Sequence, residues 1–311
     1  MSPVDPDLPA EGSPASSPAS PASARTSRPG PDGATRRPLV SGNWKMHHDH
    51  IEALHTVRDL GLRLRAEDVA KVDVSVHPPF TDIRTVQTLV EGESIPVSLG
   101  AQHCNDHDRG AYTGEVSPQM LARLGVRYVI VGHSERRRHF AMTDEAVAAT
   151  LRAVLRHEMT PILCVGESES ERAGGRTEAR LSAQLDSALR GLEGAQVARV
   201  VVAYEPLWAI GTGNAATAVD AEDACLFVRQ TVAGLAGSDA AASLRVQYGG
   251  SVNPQNAADL MAEPDVDGLL VGGASLNAAE FLEIVRASRP VTSARRHRPG
   301  GQPVRTPAAD P

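Results

Sequence analysis

Arg199-Val-Val-Val-Ala-Tyr-Glu-Pro-Leu-Trp-Ala-Ile-Gly-Thr-Gly213 sets a carboxylate between an apolar run and a loop that begins stiff and ends pliant. The run from Arg199 to Tyr204 is β-branched and lacks polar alternation, the pattern of a strand buried on both faces, so Glu205 emerges at its C-terminal end. Pro206 fixes the exit backbone, whereas Gly211 and Gly213 leave the far end free to move. Trp208 and Ile210 are costly to expose, and their position predicts a lid over residues 206–216. Glu205 is the candidate catalytic base beneath it.

The same unit repeats along the chain. Short apolar runs at 38–41, 72–76, 96–99, 127–131, 161–165, 200–204, 244–247 and 268–271 each lead into a helical stretch. Val147, Leu151, Val154 and Leu155 share one helical stripe, as do Ala224, Phe227, Val228, Thr231 and Leu235. Eight strand–helix units over about 250 residues predict an α/β fold, a single closed (β/α)8 barrel with right-handed crossovers; an open doubly wound sheet is the alternative.

Composition predicts three segments: a disordered tail at 1–37, a catalytic barrel at 38–287 and a disordered basic tail at 288–311. The two tails hold 13 of the 22 prolines, and 21 of the first 37 residues are Pro, Ser or Ala. The first tail has no apolar signal-peptide core, and Asp5, Asp7 and Glu11 argue against an organellar transit peptide. Subtracting the +4 of the second tail from the chain's −7 leaves −11 on 38–287, which argues against a nucleic-acid partner. The Arg295-Arg-His-Arg298 cluster reads as a solvated charge run. No apolar run reaches the ~18 residues that would cross a membrane. Cys104, Cys164 and Cys225 are an odd number without C-x-x-C spacing, so they suggest neither a disulfide framework nor a zinc site, and a reducing, cytoplasmic setting fits.

Barrel active sites lie on the loops after the strand C-termini, which makes the polar residues there the candidates. Asn43 and Lys45, in Asn43-Trp-Lys-Met46, alternate around Trp44 and can both face the mouth; Lys45 offers a compact positive charge for an oxyanion or phosphate. His133, in Gly132-His-Ser-Glu-Arg-Arg137, stands at a helix N-terminus, which disfavours imidazolium and predicts a neutral donor. Glu135 is a candidate ion-pair partner for Lys45. Tyr248-Gly-Gly-Ser-Val252 and Val271-Gly-Gly-Ala-Ser-Leu276 put paired glycines at two adjacent strand ends, where backbone N–H groups can hold a phosphate. Gly211-Thr-Gly-Asn-Ala-Ala216 mimics a dinucleotide fingerprint, yet it begins too far past its strand to open a helix directly. The histidines of 47–50 and 103–107 lack a third ligand at suitable spacing, so no metal is expected.

Taken together and in this order, these motifs over residues 38–287 resemble the triosephosphate isomerase family. The resemblance implies a TIM barrel that interconverts dihydroxyacetone phosphate and D-glyceraldehyde 3-phosphate through an enediolate, a step of glycolysis and gluconeogenesis, with no metal or organic cofactor. By resemblance Glu205 shuttles the proton, neutral His133 serves the substrate oxygens, and Lys45 and Asn43 stabilise negative charge. Gly211, Ser251, Gly272 and Gly273 hold the phosphate. The lid, with Pro206, Trp208 and Ile210, closes over it and is latched by Tyr248 and Ser251. The family is usually a homodimer, and Gly110-Ala-Tyr-Thr-Gly-Glu115 matches the loop that enters the neighbouring subunit, so Thr113 is expected to reach toward Asn43 and His133 of the partner. The chain departs from the family at His47 and His103, where Asn is usual, and at Asn214-Ala-Ala216 in the lid hinge, where Lys-Thr-Ala is common. A four-carbon sugar phosphate isomerase and a non-catalytic phosphate-binding protein are the alternatives.

Overall fold

The computed structural model describes residues 28–29, 35–210 and 216–290. Residues 211–215 of the expected lid, and the rest of both tails, lie outside the described residues. Eight parallel strands close into one barrel: β1 (Leu39–Asn43), β2 (Asp73–His77), β3 (Ser98–Ala101), β4 (Tyr128–Val131), β5 (Thr160–Val165), β6 (Val201–Tyr204), β7 (Arg245–Tyr248) and β8 (Gly268–Val271). Closure is made by β8 on β1, with Gly268 opposite Leu39 and Val271 opposite Gly42. Each strand falls within two residues of its sequence-predicted position.

The absence of polar alternation has its reason in two buried faces. Leu39, Ile130, Ile162, Val201 and Leu270 form one cluster, while alternate residues such as Val40, Val129, Leu163, Val202 and Leu269 join a second cluster with the surrounding helices. Burying each such side chain contributes roughly 1.5–3 kcal/mol. Val147, Leu151, Val154 and Leu155 are all buried on the helix Asp144–Arg156 as expected. Of the stripe expected on Ala218–Ala236, Ala224 and Val228 are buried and Phe227 packs against the core, but the inward face also takes in Ala221, Cys225 and Val232, and Leu235 is exposed.

Both domain boundaries move outward from the composition estimate. Arg36 and Arg37, assigned to the tail, are buried. Arg36 Nε donates to Asp267 Oδ1 at 2.7 Å and Arg37 Nε to Asp73 Oδ1 at 2.7 Å. Arg229 pairs with the other oxygen of Asp267 at 2.5 Å, and Arg245 with that of Asp73 at 3.0 Å. These pairs plug the N-terminal end of the barrel, where a residue serves stability. Thr35–Arg36 also pairs with Arg28–Pro29 as a short antiparallel ribbon. At the other end Ser288 is buried and Arg289 reaches Asp68 at 3.2 Å. Arginines in a proline-rich setting read as tail because their aspartate partners lie elsewhere in the sequence.

Candidate active site

Glu205 leaves β6 with its main chain pinned on both sides: its N–H donates to Val165 O at 2.7 Å, and the preceding carbonyl, Tyr204 O, accepts from Gly249 N at 2.7 Å. Its side chain is almost wholly buried, with Oε1 2.9 Å from His133 Nε2 and Oε2 accepting from Ser134 N at 2.9 Å. Ser134 contributes a main-chain group, which no side-chain pattern could have revealed.

His133 caps the helix Ser134–His139, and its Nδ1 accepts from Glu135 N at 3.2 Å. That bond requires a lone pair on Nδ1 and puts the ring proton on Nε2, facing Glu205. Burial disfavours the His133 imidazolium, while the Glu205 carboxylate beside it raises the pKa above its ordinary value. The Glu135 amide, fixed by the helix turn, opposes a second proton at Nδ1 and so favours the neutral ring against the pull of Glu205. Burial likewise pushes the Glu205 carboxyl up, but His133 and the Ser134 amide outweigh it and hold the group ionised below the usual range.

Lys45 follows β1 in a left-handed conformation, φ 54°, rare for a residue with a side chain and costing of order 1–3 kcal/mol. Asn43 Oδ1 accepts from the Lys45 N–H at 3.1 Å, and Lys45 Nζ lies 2.6 Å from Glu135 Oε1, the ion pair expected from sequence. The Lys45 stem crosses Gly272, within 3.5 Å of where a Cβ would stand.

Asn43, Lys45, His133, Glu205, Ile210, Ser251, Gly272 and Gly273 all line a single cavity of about 300 Å³, with Gly249, Gly250, Val252 and Leu270 completing the wall. The structure thus brings the carboxylate, imidazole and ammonium to one cavity with both glycine pairs. Gly211 lies outside the described residues, and Tyr248 is not part of the cavity wall. A Cβ at Gly250 would meet the Tyr248 hydroxyl at 2.1 Å and Pro206 at 3.0 Å, so the glycine is what lets the tyrosine approach the lid's first residue.

Sequence reading passed over Glu167. This wholly buried carboxylate accepts from Tyr204 OH at 3.0 Å and Trp208 Nε1 at 2.9 Å, while the Arg172 guanidinium lies 4.0 Å from the centre of the Trp208 ring. Glu167 therefore ties the lid's tryptophan to the end of β5. Its place just past a strand end was the available signal.

The fold, the convergent charges and the two glycine loops agree with one family model, described as triosephosphate isomerase, which matches residues 38–288. The chain belongs to the triosephosphate isomerase family. It is 53% identical over 250 residues to the triosephosphate isomerase of Saccharopolyspora erythraea, covering 80% of this chain and 95% of that protein. The corresponding enzyme of Nocardia farcinica is 50% identical over 259 residues, covering 82% and 99%. That of Streptomyces coelicolor is 50% identical over 252 residues, covering 81% and 98%. In this member of the triosephosphate isomerase family, of the three departures, His47 is exposed, His103 is buried with its Nε2 3.9 Å from Glu115 Oε2, and Asn214 and Ala215 of the hinge lie outside the described residues. Burial and Arg136 push His103 down to about 4. Thr113, at the tip of the expected dimer loop, is exposed.

Proposed function

We propose that this cavity interconverts dihydroxyacetone phosphate and D-glyceraldehyde 3-phosphate, with Glu205 as the base. The observation that carries the reading is the approach of Glu205 Oε1 to His133 Nε2, 2.9 Å apart, at a cavity of about 300 Å³ that is also lined by Lys45 and two glycine pairs. Glu205 takes a proton from the carbon next to the carbonyl, and His133 Nε2–H donates to the oxygen on which charge develops. Glu205 then returns its proton to the adjacent carbon while the proton of the original hydroxyl goes back to His133 Nε2, so the product is an isomer and no atom is gained or lost. Lys45 and Asn43 lower the cost of the enediolate charge. The amides around Ser251, Gly272 and Gly273, with Gly211 from the lid, hold the phosphate. Pro206, Trp208 and Ile210 belong to a lid that keeps water from the intermediate, and Tyr248 steadies it when closed. Because both Glu205 oxygens are engaged in the resting site, substrate has to draw the carboxylate away from Ser134. No feature of the cavity favours the four-carbon alternative. Comparing kcat/KM for three- and four-carbon aldose phosphates tests the reading, and a preference for the longer substrate would overturn it.

A homodimer goes with this function. A second cavity of about 520 Å³ adjoins the first, shares Asn43, Lys45 and His133 with it, and is flanked by the exposed Met46, Phe80 and Phe140. A partner's Thr113 loop would cover these apolar groups, and Phe140→Asp should shift the mass measured by light scattering toward the monomer. A cytoplasmic location suits the three buried free thiols. No described helix is long and apolar enough to cross a membrane.

A further inference from the structure

The left-handed turn at Lys45 leaves its carbonyl out of the barrel's ladder, and one side chain meets it. Gln102, the residue directly after β3, donates through Nε2 to Lys45 O at 2.7 Å and to His77 O at 2.9 Å. Both protons of the amide are thereby used, one on the catalytic loop and one on the end of β2. His77 O also accepts from Trp44 N at 3.2 Å, so the Gln102 amide and the first residue of the catalytic loop share one anchor.

That anchor is held rigidly from below. The His77 ring is wholly buried, with Nδ1 3.1 Å from Ala101 O and Nε2 3.1 Å from Ser75 Oγ. Ser75 Oγ in turn bonds Ser41 Oγ at 2.9 Å, and Ser41 Oγ accepts from Gln247 Nε2 at 3.0 Å. Since Ala101 O can only accept, the proton of the neutral ring sits on Nδ1. Gln247, Ser41 and Ser75 form one row of hydrogen bonds beneath His77. A chain of hydrogen bonds thus crosses the barrel from β7 to β3 and ends on the residue next to Gln102.

We infer that Gln102 is a positioning residue for the isomerisation: its amide clamps the Lys45 main chain in the left-handed conformation and so sets where the Lys45 ammonium stands at the mouth of the site. Gln102 does not reach the substrate cavity itself; it lines the adjoining one. Asn43 fixes the Lys45 N–H and Gln102 fixes the Lys45 carbonyl, so the residue is held at both ends. The inference rests on the role given to Lys45 above.

The test is a double-variant cycle on the full chain. Wild type, Gln102→Met, Lys45→Ala and the double variant are compared for kcat and KM with glyceraldehyde 3-phosphate, and for binding of inorganic phosphate by calorimetry. Light scattering checks that all four share one assembly state. Gln102→Met fills the same space without donors and should lower kcat/KM by up to about 10²-fold, the cost of a charge misplaced by about 1 Å. In the Lys45→Ala background the same change should alter either readout by less than about twofold. Equal losses in the two backgrounds would overturn the inference, because Gln102 would then act through something other than Lys45. A harmless Lys45→Ala would instead overturn the reading of Lys45, a result seen in a different variant. Gln102→Asn, which keeps the amide but withdraws it by one methylene, supplies the comparison if Gln102→Met does not fold.

Discussion

Gly166 lies directly behind the Glu205 main chain, and alanine there probes how closely the position of the carboxylate is set. A Cβ would stand 1.9 Å from the Glu205 carbonyl oxygen, 2.8 Å from its carbonyl carbon and 2.9 Å from Leu207 Cδ1. A comfortable carbon–oxygen contact is about 3.3 Å, so something must yield by roughly 1.4 Å. The surroundings have little to give: Gly166 N donates to Gln184 Oε1 at 2.9 Å, Glu205 N to Val165 O at 2.7 Å, and Gly249 N to Tyr204 O at 2.7 Å. Most of the displacement therefore falls on the Glu205 main chain and the Leu207 side chain. Moving a catalytic group by about 1 Å costs on the order of 10²-fold in kcat. The overpacking itself costs about 1–3 kcal/mol, which at about 2–4 °C per kcal/mol lowers Tm by several degrees. Initial rates with glyceraldehyde 3-phosphate and scanning calorimetry of Gly166→Ala measure both effects. A kcat within about twofold of wild type would mean that the position of the carboxylate is not so closely set.

Three further outcomes are expected. His133→Ala removes the proton donor while leaving Lys45 in place, and should lower kcat by about 10²–10³-fold; a loss under about fivefold in the same rate assay would show that another group serves the substrate oxygens. Burial pushes His77 from 6.5 down to about 4, so between those values the unfolded chain binds the proton that the folded one excludes. Stability is full above about 6.5 and falls as the pH drops toward 4, by up to roughly 3 kcal/mol from this residue; His103 acts in the same direction. His77→Gln should flatten the urea-derived stability curve in that window by about one proton, and parallel curves would contradict the assignment. Arg36→Ala leaves the buried Asp267 with only Arg229 and the Val246 amide and should cost about 1–3 kcal/mol with kcat unchanged; an unaltered Tm would mean that the pair contributes nothing.

The sequence was most legible where local pattern and tertiary role coincide. Val200 to Tyr204 had to be a doubly buried strand because nothing in it alternates, and Glu205 then had to stand at its end. Lys45 and Glu135, 90 positions apart, were matched because each lies just past its strand in the barrel. What stayed hidden was set by partners remote in sequence. Arg36 and Arg37 are buried only because Asp267 and Asp73 meet them, and Leu235 is exposed because the inward face of its helix runs through Ala221, Cys225, Val228 and Val232. Ser134 acts through its main chain, which carries no side-chain signature. Glu167 and Gln102 were readable in principle, since both lie within two residues of a strand end, but neither belongs to a glycine loop or a histidine motif that draws notice.

The most direct test of the account is the initial rate of glyceraldehyde 3-phosphate isomerisation by the purified wild type beside Glu205→Ala, in a coupled assay. The account expects rapid turnover by the wild type and a loss of about 10²–10⁴-fold in the variant, with the fold intact by circular dichroism. A variant that turns over like the wild type would remove Glu205 as the base, and a wild type that binds phosphate without isomerising the triose would contradict the function itself.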